Sequence, residues 1–386
     1  MDAWRPENPE EVILSTCSTL IAVIDDDNGS KIVQFSHFSV KEFLVSDRLR
    51  TSEAGNTRNG HILLDAAHTV LARACLTVLL HLDEKTDKKR LATFPLALYA
   101  AQHWFEHAKY ENVAPQVEDA MEELFNPSKP YLTSWVWIHD VDQEGFRKSI
   151  DTVTDTMSRP EGTALYYAVS CGLCGPAKYL ISTHGEDVNA GCGNRGTPLH
   201  GASNKGHLNA VSLLLDHGAE VNTTNGREIT PLCEAYDGRH LQVMKLLLEH
   251  GAAPDVRYDH FGLLTHEASY SGQAEVTSLL LQHNADVNAI SSHSFTPLHW
   301  ASSYGHADVV QILLEHGADI DALSKFGSPL FQAVNNDHFD VTRLLLEHGA
   351  NTQIRGIRDW TPFQRATKNG NIQIAQLLLE HGADKE

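Results

Sequence analysis

The residues of this 386-residue chain best suited to chemistry are its 23 histidines and six cysteines. Histidine serves as a metal ligand or an acid–base group near neutral pH, so this density raises a metal centre or a proton relay as candidates. Fourteen of the histidines fall in recurring slots. His184, His217, His250, His283, His316, His348 and His381 each precede a loop position that is Gly in six cases and Asn284 in the other. His200, His266 and His299 end a Thr-Pro-Leu-His phrase or its variant, and His207, His240, His306 and His338 stand at the break between two apolar stretches. Such spacing predicts hydrogen bonding in turns rather than ligation of one ion. Cys171-Gly172-Leu173-Cys174 would be half of a zinc site or a redox pair. There is no second such motif; Cys192 in the following loop is placed to approach as a third ligand, and no fourth is evident. Cys174 is in phase with Leu208, an apolar slot, which points to small-residue packing.

Two further patterns read the same way. Asp25-Asp26-Asp27-Asn28-Gly29 resembles a calcium loop only superficially, because the twelfth position, where a bidentate Glu belongs, is Ser36. Turn chemistry is the better reading. Ser36 and His37 are adjacent, so in a strand they point to opposite faces, and no Gly-x-Ser-x-Gly elbow is present. No paired carboxylates stand out. The expectation is therefore no catalytic residue, no cofactor site, no metal site, and no enzyme activity.

The elements that carry these residues repeat. The loop Gly slot falls at 185, 218, 251, 284, 317, 349 and 382, at intervals of 33 or, once, 32 residues. A Thr-Pro-Leu phrase runs in phase, with its middle residue at Ala164, Pro198, Pro231, Leu264, Pro297, Pro329 and Pro362. Thr197 is placed to cap a helix that begins at Pro198, where the missing N–H has no helical partner to lose. Leu199 and Ala202 share a face of that short helix, and Gly206-His207 breaks it. Leu208, Val211, Leu214 and Leu215 then form the stripe of a second helix, which ends where Gly218 takes a left-handed conformation. Two helices this short cannot bury both faces alone, so stability must come from stacking on neighbours.

Thr-Pro-Leu-His-x-Ala, Gly-His and Leu-Leu-x-x-Gly-Ala-x-x-Asn at this period closely resemble the ankyrin repeat, as in Thr296 to Ala301 and Leu313 to Asp319. The resemblance implies an ankyrin α-solenoid of seven repeats over residues 162–386, at about 162–194, 195–227, 228–260, 261–293, 294–325, 326–358 and 359–386. The fourth repeat has Leu263-Leu264 in place of Thr-Pro and Asn284 in place of Gly. Loss of the cap costs about 0.5–2 kcal/mol, so this repeat is expected to be the soft point of the stack.

Before the repeats the pattern differs. Leu20 to Ile24 and Lys31 to Phe35 are β-branched runs around a turn and predict a hairpin. Ser39 is placed to cap a helix through Val40, Phe43 and Leu44. Helices are predicted over 61–82, 94–110, 115–125 and 130–139. Phe35 to Leu44 resembles a phrase that ends the winged-helix domain of fungal NACHT–ankyrin proteins, which are NLR-like signalling ATPases. Phe94 to Trp104 resembles the helical connector that follows there. The implied organisation is a winged-helix-like segment at 1–52, a helical connector at 53–144, a linker at 145–161 and the repeats. The overall fold class is mainly α. The Gly-x-x-x-x-Gly-Lys-Ser/Thr loop of such ATPases is absent. The chain thus looks like the back half of such a receptor without its nucleotide switch.

Thirty Lys and Arg against 50 Asp and Glu give a net charge of -20. That balance disfavours nucleic acid and anionic membranes as partners. No apolar run reaches the roughly 18 residues of a spanning helix, and no signal peptide is visible, so a cytoplasmic location is expected. Another protein is the expected partner. By the resemblance, finger tips and exposed ends of first helices meet it. The candidates are Phe261, Tyr270, Phe295, Tyr304, Lys325, Phe326, Asn335, Arg358, Trp360 and Lys368, with Phe295, Tyr304, Phe326 and Trp360 as an aromatic strip. Aromatic and Arg side chains dominate interface hot spots. Loop aromatics that pack on the adjacent finger are the alternative. A competing function is an enzyme or accessory of a fungal metabolic pathway, with a polar pocket including His103, Trp104 and His107; a receptor remnant without function is a third.

Overall fold

The computed structural model describes residues 21–25, 31–35, 64–82, 86, 88–92, 97–110, 112–139, 160–259, 262–291 and 294–384. The expected hairpin is present. Strands β1 (Ile21–Asp25) and β2 (Lys31–Phe35) pair antiparallel with Val23 opposite Val33. The Ser39 helix, most of the winged-helix-like segment and the linker over 145–159 lie outside the described residues.

The chain divides into two compact units, Met1–Glu220 and Val221–Glu386. In the first, α1 (Leu64–Leu79) packs along α3 (Ala97–Ala108) and touches α4 (Glu118–Phe125) and α5 (Tyr131–Ile138). A short helix, α2 (Lys88–Ala92), precedes α3. These elements fall inside the predicted helical spans, except α2, whose five residues are too short to show a period. Their core is aromatic. Trp135 meets Trp104 and Phe125 edge-on at 5.4 and 5.8 Å, and its Nε1 donates to the Ala101 carbonyl at 2.8 Å. Buried indoles and phenyl rings carry large apolar areas, and edge-on geometry adds to that. Tyr167 of the next helix pair joins the cluster at 6.3 Å. Trp104 is therefore sealed in a core instead of lining a polar pocket. His107 is buried beside it, bonded to the Tyr99 hydroxyl and to His68, both at 2.9 Å. His103 faces Glu106 at 3.0 Å.

Helix pairs follow at the predicted spacing. In the first unit these are α6 (Ala164–Ser170) with α7 (Cys174–His184), and α8 (Pro198–Asn204) with α9 (Leu208–Asp216). In the second they are α10 (Pro231–Asp237) with α11 (Leu241–Glu249), α12 (Leu264–Tyr270) with α13 (Ala274–Gln282), and α14 (Pro297–Tyr304) with α15 (Ala307–Glu315). Two more complete it: α16 (Pro329–Asn335) with α17 (Phe339–Glu347), and α18 (Pro362–Asn369) with α19 (Ile372–Glu380). Within the second unit, first helix α14 packs on first helices α12 and α16, and second helix α15 on second helices α13 and α17. The apolar stripe is what they bury: Val309, Val310 and Leu313 of α15 are inaccessible to solvent. Each such side chain is worth about 1.5–3 kcal/mol of transfer free energy, so a pair without its neighbour forfeits much of its stability.

Polar groups set the register between neighbours. Asn288 accepts from the Asp319 N–H at 2.8 Å and donates to the Gly317 carbonyl at 3.4 Å; Asn222 does the same with Ala253 and Gly251. The histidines behave as turn residues. His250, His316 and His348 each donate through Nδ1 to the carbonyl four residues back at 2.9 Å. His306 and His338 donate through Nε2 to carbonyls of the preceding first helix, Tyr270 at 2.8 Å and Ser303 at 3.0 Å. Asn284 takes φ 66°, the same left-handed well that Gly218 occupies at 86°, as a short polar side chain allows.

The pair α12–α13 departs most from its neighbours. Leu263 has no side-chain acceptor for the first turn, although its own N–H still reaches His266 Nδ1 at 3.1 Å. The loop before it forms a small two-stranded finger, β3 (Arg257–Asp259) with β4 (Gly262–Leu263). At the inter-helix slot Gln273 replaces His and donates to the Tyr236 hydroxyl at 2.9 Å. A cavity of about 550 Å³ opens here, lined by Tyr236, Arg239, Met244, Gln273 and Val276 among others. Burial pushes the Tyr236 hydroxyl up to about 12.

Candidate partner-binding surface

The candidate surface belongs to the second unit and is made from fingers and the exposed ends of first helices. Each finger is held by the helix it precedes. Thr296 Oγ1 accepts from the His299 N–H at 3.4 Å, Ser328 Oγ from Phe331 at 3.2 Å, and Thr361 Oγ1 from Gln364 at 3.3 Å. His299 returns the bond by accepting the Thr296 N–H at Nδ1, 3.1 Å away. Adjacent fingers touch: a Cβ on Gly327 would sit 2.8 Å from the Gly356 backbone, and one on Gly356 would enter the Phe331 ring. Bare backbone at 327 and 356 lets the fingers close on Phe331.

The expected contact residues divide by environment. Phe261 lies outside the described residues. Phe295 is buried, stacked on His299 at 5.0 Å and edge-on to Trp300 at 5.0 Å and Phe326 at 5.7 Å. It supports the finger and offers no free face to a partner. Tyr304 is 47% exposed and packs edge-on against half-buried Tyr270 at 4.4 Å. Phe326 is 39% exposed. Trp360 is half-buried, with the guanidinium groups of Arg358 and Arg365 at 5.9 and 5.7 Å from its ring, a cation–π arrangement on both. Lys325, Arg358 and Lys368 are exposed, and Asn335 is half-buried with its carbonyl accepting from Asn369 at 3.1 Å. Tyr270–Tyr304 and Phe295–Phe326 are brought together; the Trp360 cluster is a separate cation–aromatic group.

Three apolar finger residues escape the sequence reading. Ile290 and Leu323 are 72% and 71% exposed, and Ile357 is 40% exposed. Ile290 and Leu323 each stand six residues after the loop slot at Asn284 and Gly317. An apolar residue at an exposed repeat position is the signal that marks them.

Cys171 and Cys192 are buried, and Cys174 Sγ faces the Gly172 carbonyl at 3.9 Å, with burial raising its thiol pKa. Among the described residues no three His, Cys, Asp or Glu side chains are placed to hold a metal ion. Among them, too, no helix is long and apolar enough to cross a membrane.

Comparison with known proteins bears on the same region. A family model for ankyrin repeats (three copies) matches residues 143–225, 165–258, 219–291, 262–324 and 321–386. The azaphilone pigments biosynthesis cluster protein L of Monascus ruber is 30% identical over 226 residues, 53% of this chain and 45% of its own. The chain thus spans about half the length of the curated relative it matches. Among solved structures, the ankyrin repeat domain of Bcl-3, a member of the IkappaB family, is similar at 25% identity and a TM-score of 0.51, over 56% of this chain and 98% of that one. The human ASB11 ankyrin repeat domain matches at 30% identity and a TM-score of 0.49, over 58% of this chain and 100% of that one.

Proposed function

The chain belongs to the ankyrin-repeat family, and from that premise we propose that the fingers and first helices of its second unit capture another protein without catalysing a reaction. The observation that carries this reading is the set of large apolar side chains left in solvent on the fingers and a first-helix end: Ile290, Leu323, Phe326, Ile357 and Tyr304. The repeats number seven in this reading, matching the recurring phrase in the sequence. No cofactor is needed, and the site of action is the cytoplasm.

The finer role is that of the sensor or scaffold part of a fungal NLR-like system. Support comes from the winged-helix phrase at 35–44 and the connector phrase at 94–104. A second reading is an accessory of a fungal metabolic pathway. The relative from Monascus ruber, named for a pigment biosynthesis cluster, favours it.

The test is capture from native extract with the full chain and with a Tyr304→Ala, Phe326→Ala, Trp360→Ala variant, partners being identified by mass spectrometry. The variant should lose specific partners while circular dichroism shows unchanged helix content. Retention of every partner by the folded variant would remove this face from the function. A captured biosynthetic enzyme would favour the accessory reading, and a captured signalling protein the receptor one.

A further inference from the structure

The fingers that expose Leu323, Phe326 and Ile357 also carry cations, three of which meet no carboxylate among the described residues. Between residues 318 and 371 the loops, fingers and first helices carry Lys325, Arg355, Arg358, Arg365 and Lys368 against four carboxylates, Asp319, Asp321, Asp337 and Asp359, of which Asp319 and Asp321 accept the backbone N–H groups of Asp321 and Asn351 at 3.1 and 2.9 Å. Asp359 is taken by Arg355, at 3.5 Å. Asp337 is engaged by the side-chain amides of Asn369 and Asn371 at 3.2 and 3.3 Å. Lys325, Arg358 and Lys368 are exposed and make no ion pair among the described residues. The second helices carry the opposite balance: Arg343 of α17 pairs with Asp340 at 3.0 Å, and Glu347 on the same helix makes no ion pair among the described residues. In a chain of net charge -20, the cations of this region are thus sorted onto the face that also exposes Leu323, Phe326 and Ile357.

Resting on the capture function above, we propose that the occupant of this face is an acidic, apolar-laced segment of a partner protein. Its Asp or Glu side chains meet Lys325, Arg358 and Lys368, and its apolar side chains meet Leu323, Phe326 and Ile357. Exposed charges arranged to complement a ligand steer encounter and fix register more than they add affinity. Trp360 contributes through its two guanidinium neighbours. Arg365 lies over the ring with its Nε buried and without a hydrogen-bond acceptor among the described residues, and Arg358 is exposed beside the same ring. A carboxylate meeting Arg358 gains a planar, two-point partner. Nucleic acid fits less well. A phosphate strand needs cations along its track, and here the free cations are few and separated by bulky apolar groups.

The experiment is fluorescence anisotropy on the full chain with four labelled probes. One is a twelve-residue peptide of Asp and Glu interspersed with Leu and Phe. The others are its Asn/Gln counterpart, its Lys counterpart and a twelve-nucleotide oligothymidine. The acidic peptide should bind tightest and weaken as salt is raised. A Lys325→Glu, Arg358→Glu, Lys368→Glu variant should lose roughly 10- to 100-fold in its affinity, three exposed pairs acting together, and the neutral Lys325→Gln, Arg358→Gln, Lys368→Gln variant should lose less. Both should change binding of the Asn/Gln peptide less than binding of the acidic one. Equal binding of acidic and Asn/Gln peptides, both weakened by Phe326→Ala, would overturn the acidic assignment while leaving the capture function standing. Binding that responds to none of these variants would overturn both. Oligothymidine binding as tight as the acidic peptide, and lost in the charge variants, would reassign the face to nucleic acid and overturn the proposal.

Discussion

His299 Nε2 donates to the Gly327 carbonyl at 3.1 Å, tying a first helix to the finger of the following repeat. Its Nδ1 meanwhile accepts the Thr296 N–H. Both bonds together require a neutral ring protonated at Nε2. Burial pulls the His299 pKa down to about 4. The unfolded ring titrates near 6.5, so between those values the unfolded chain holds the extra proton. The stabilisation is complete above pH 6.5 and drains away as pH falls toward 4, by about 3 kcal/mol in all. His266, whose pKa burial also lowers, adds in the same direction. Urea unfolding at pH 7.5 and 5 should show the loss. His299→Gln should flatten the slope, because Gln364 at the same slot accepts the Thr361 N–H at 3.0 Å without titrating. An undiminished slope in that variant would place the pH dependence elsewhere.

The pair α12–α13 should open before its C-terminal neighbour. It lacks the capping hydroxyl at Leu263 and adjoins the cavity beside Tyr236 and Met244. Amide exchange should be faster over 262–285 than over 295–318, and comparable protection would contradict the expectation. Leu263→Thr should raise the urea midpoint, since a restored cap is worth about 1 kcal/mol.

Asp255 occupies the slot that Asn288 fills one repeat later. It accepts the Asp286 N–H at 3.0 Å, but a carboxylate has no hydrogen to give the carbonyl that an Asn amide would reach. Asp255→Asn should stabilise the chain by about 0.5 kcal/mol, the low end for a solvent-exposed hydrogen bond. Thermal unfolding at neutral pH measures it, and a lower midpoint would count against the pairing.

Gly356→Ala should destabilise the second unit by about 1–3 kcal/mol, since the added methyl must displace the Phe331 ring from a filled site. Phe331→Leu in the same background should recover part of the loss. If it does not, the contact is not the cause.

Most of the helical architecture was legible because it rests on short-range chemistry. Thr197-Pro198 marks the start of α8 to the residue, and the Gly slot marks where the second helices stop. The α2 helix was not, because five residues show no period. Burial at the surface was harder to read. Phe295 looks like a finger-tip aromatic, yet its environment is set by His299, Trp300 and Phe326, the last of them from the next repeat. Ile290 and Leu323 show the converse: only their place in the repeat, six residues after the loop slot, marks them, because the adjacent residues carry no sign of whether a neighbour covers an aliphatic side chain.

The amide of Asn222 and that of Asn288 satisfy the same two backbone groups at their respective junctions. Junctions built alike are interchangeable. Excision of 33 consecutive codons would bring together ends already suited to each other, and a duplication of that length would create one more seam of the same kind. Length variation by whole units is therefore a small mutational step for such a gene. A frame-preserving loss of only a few residues inside a helix would misalign every bond at two seams at once.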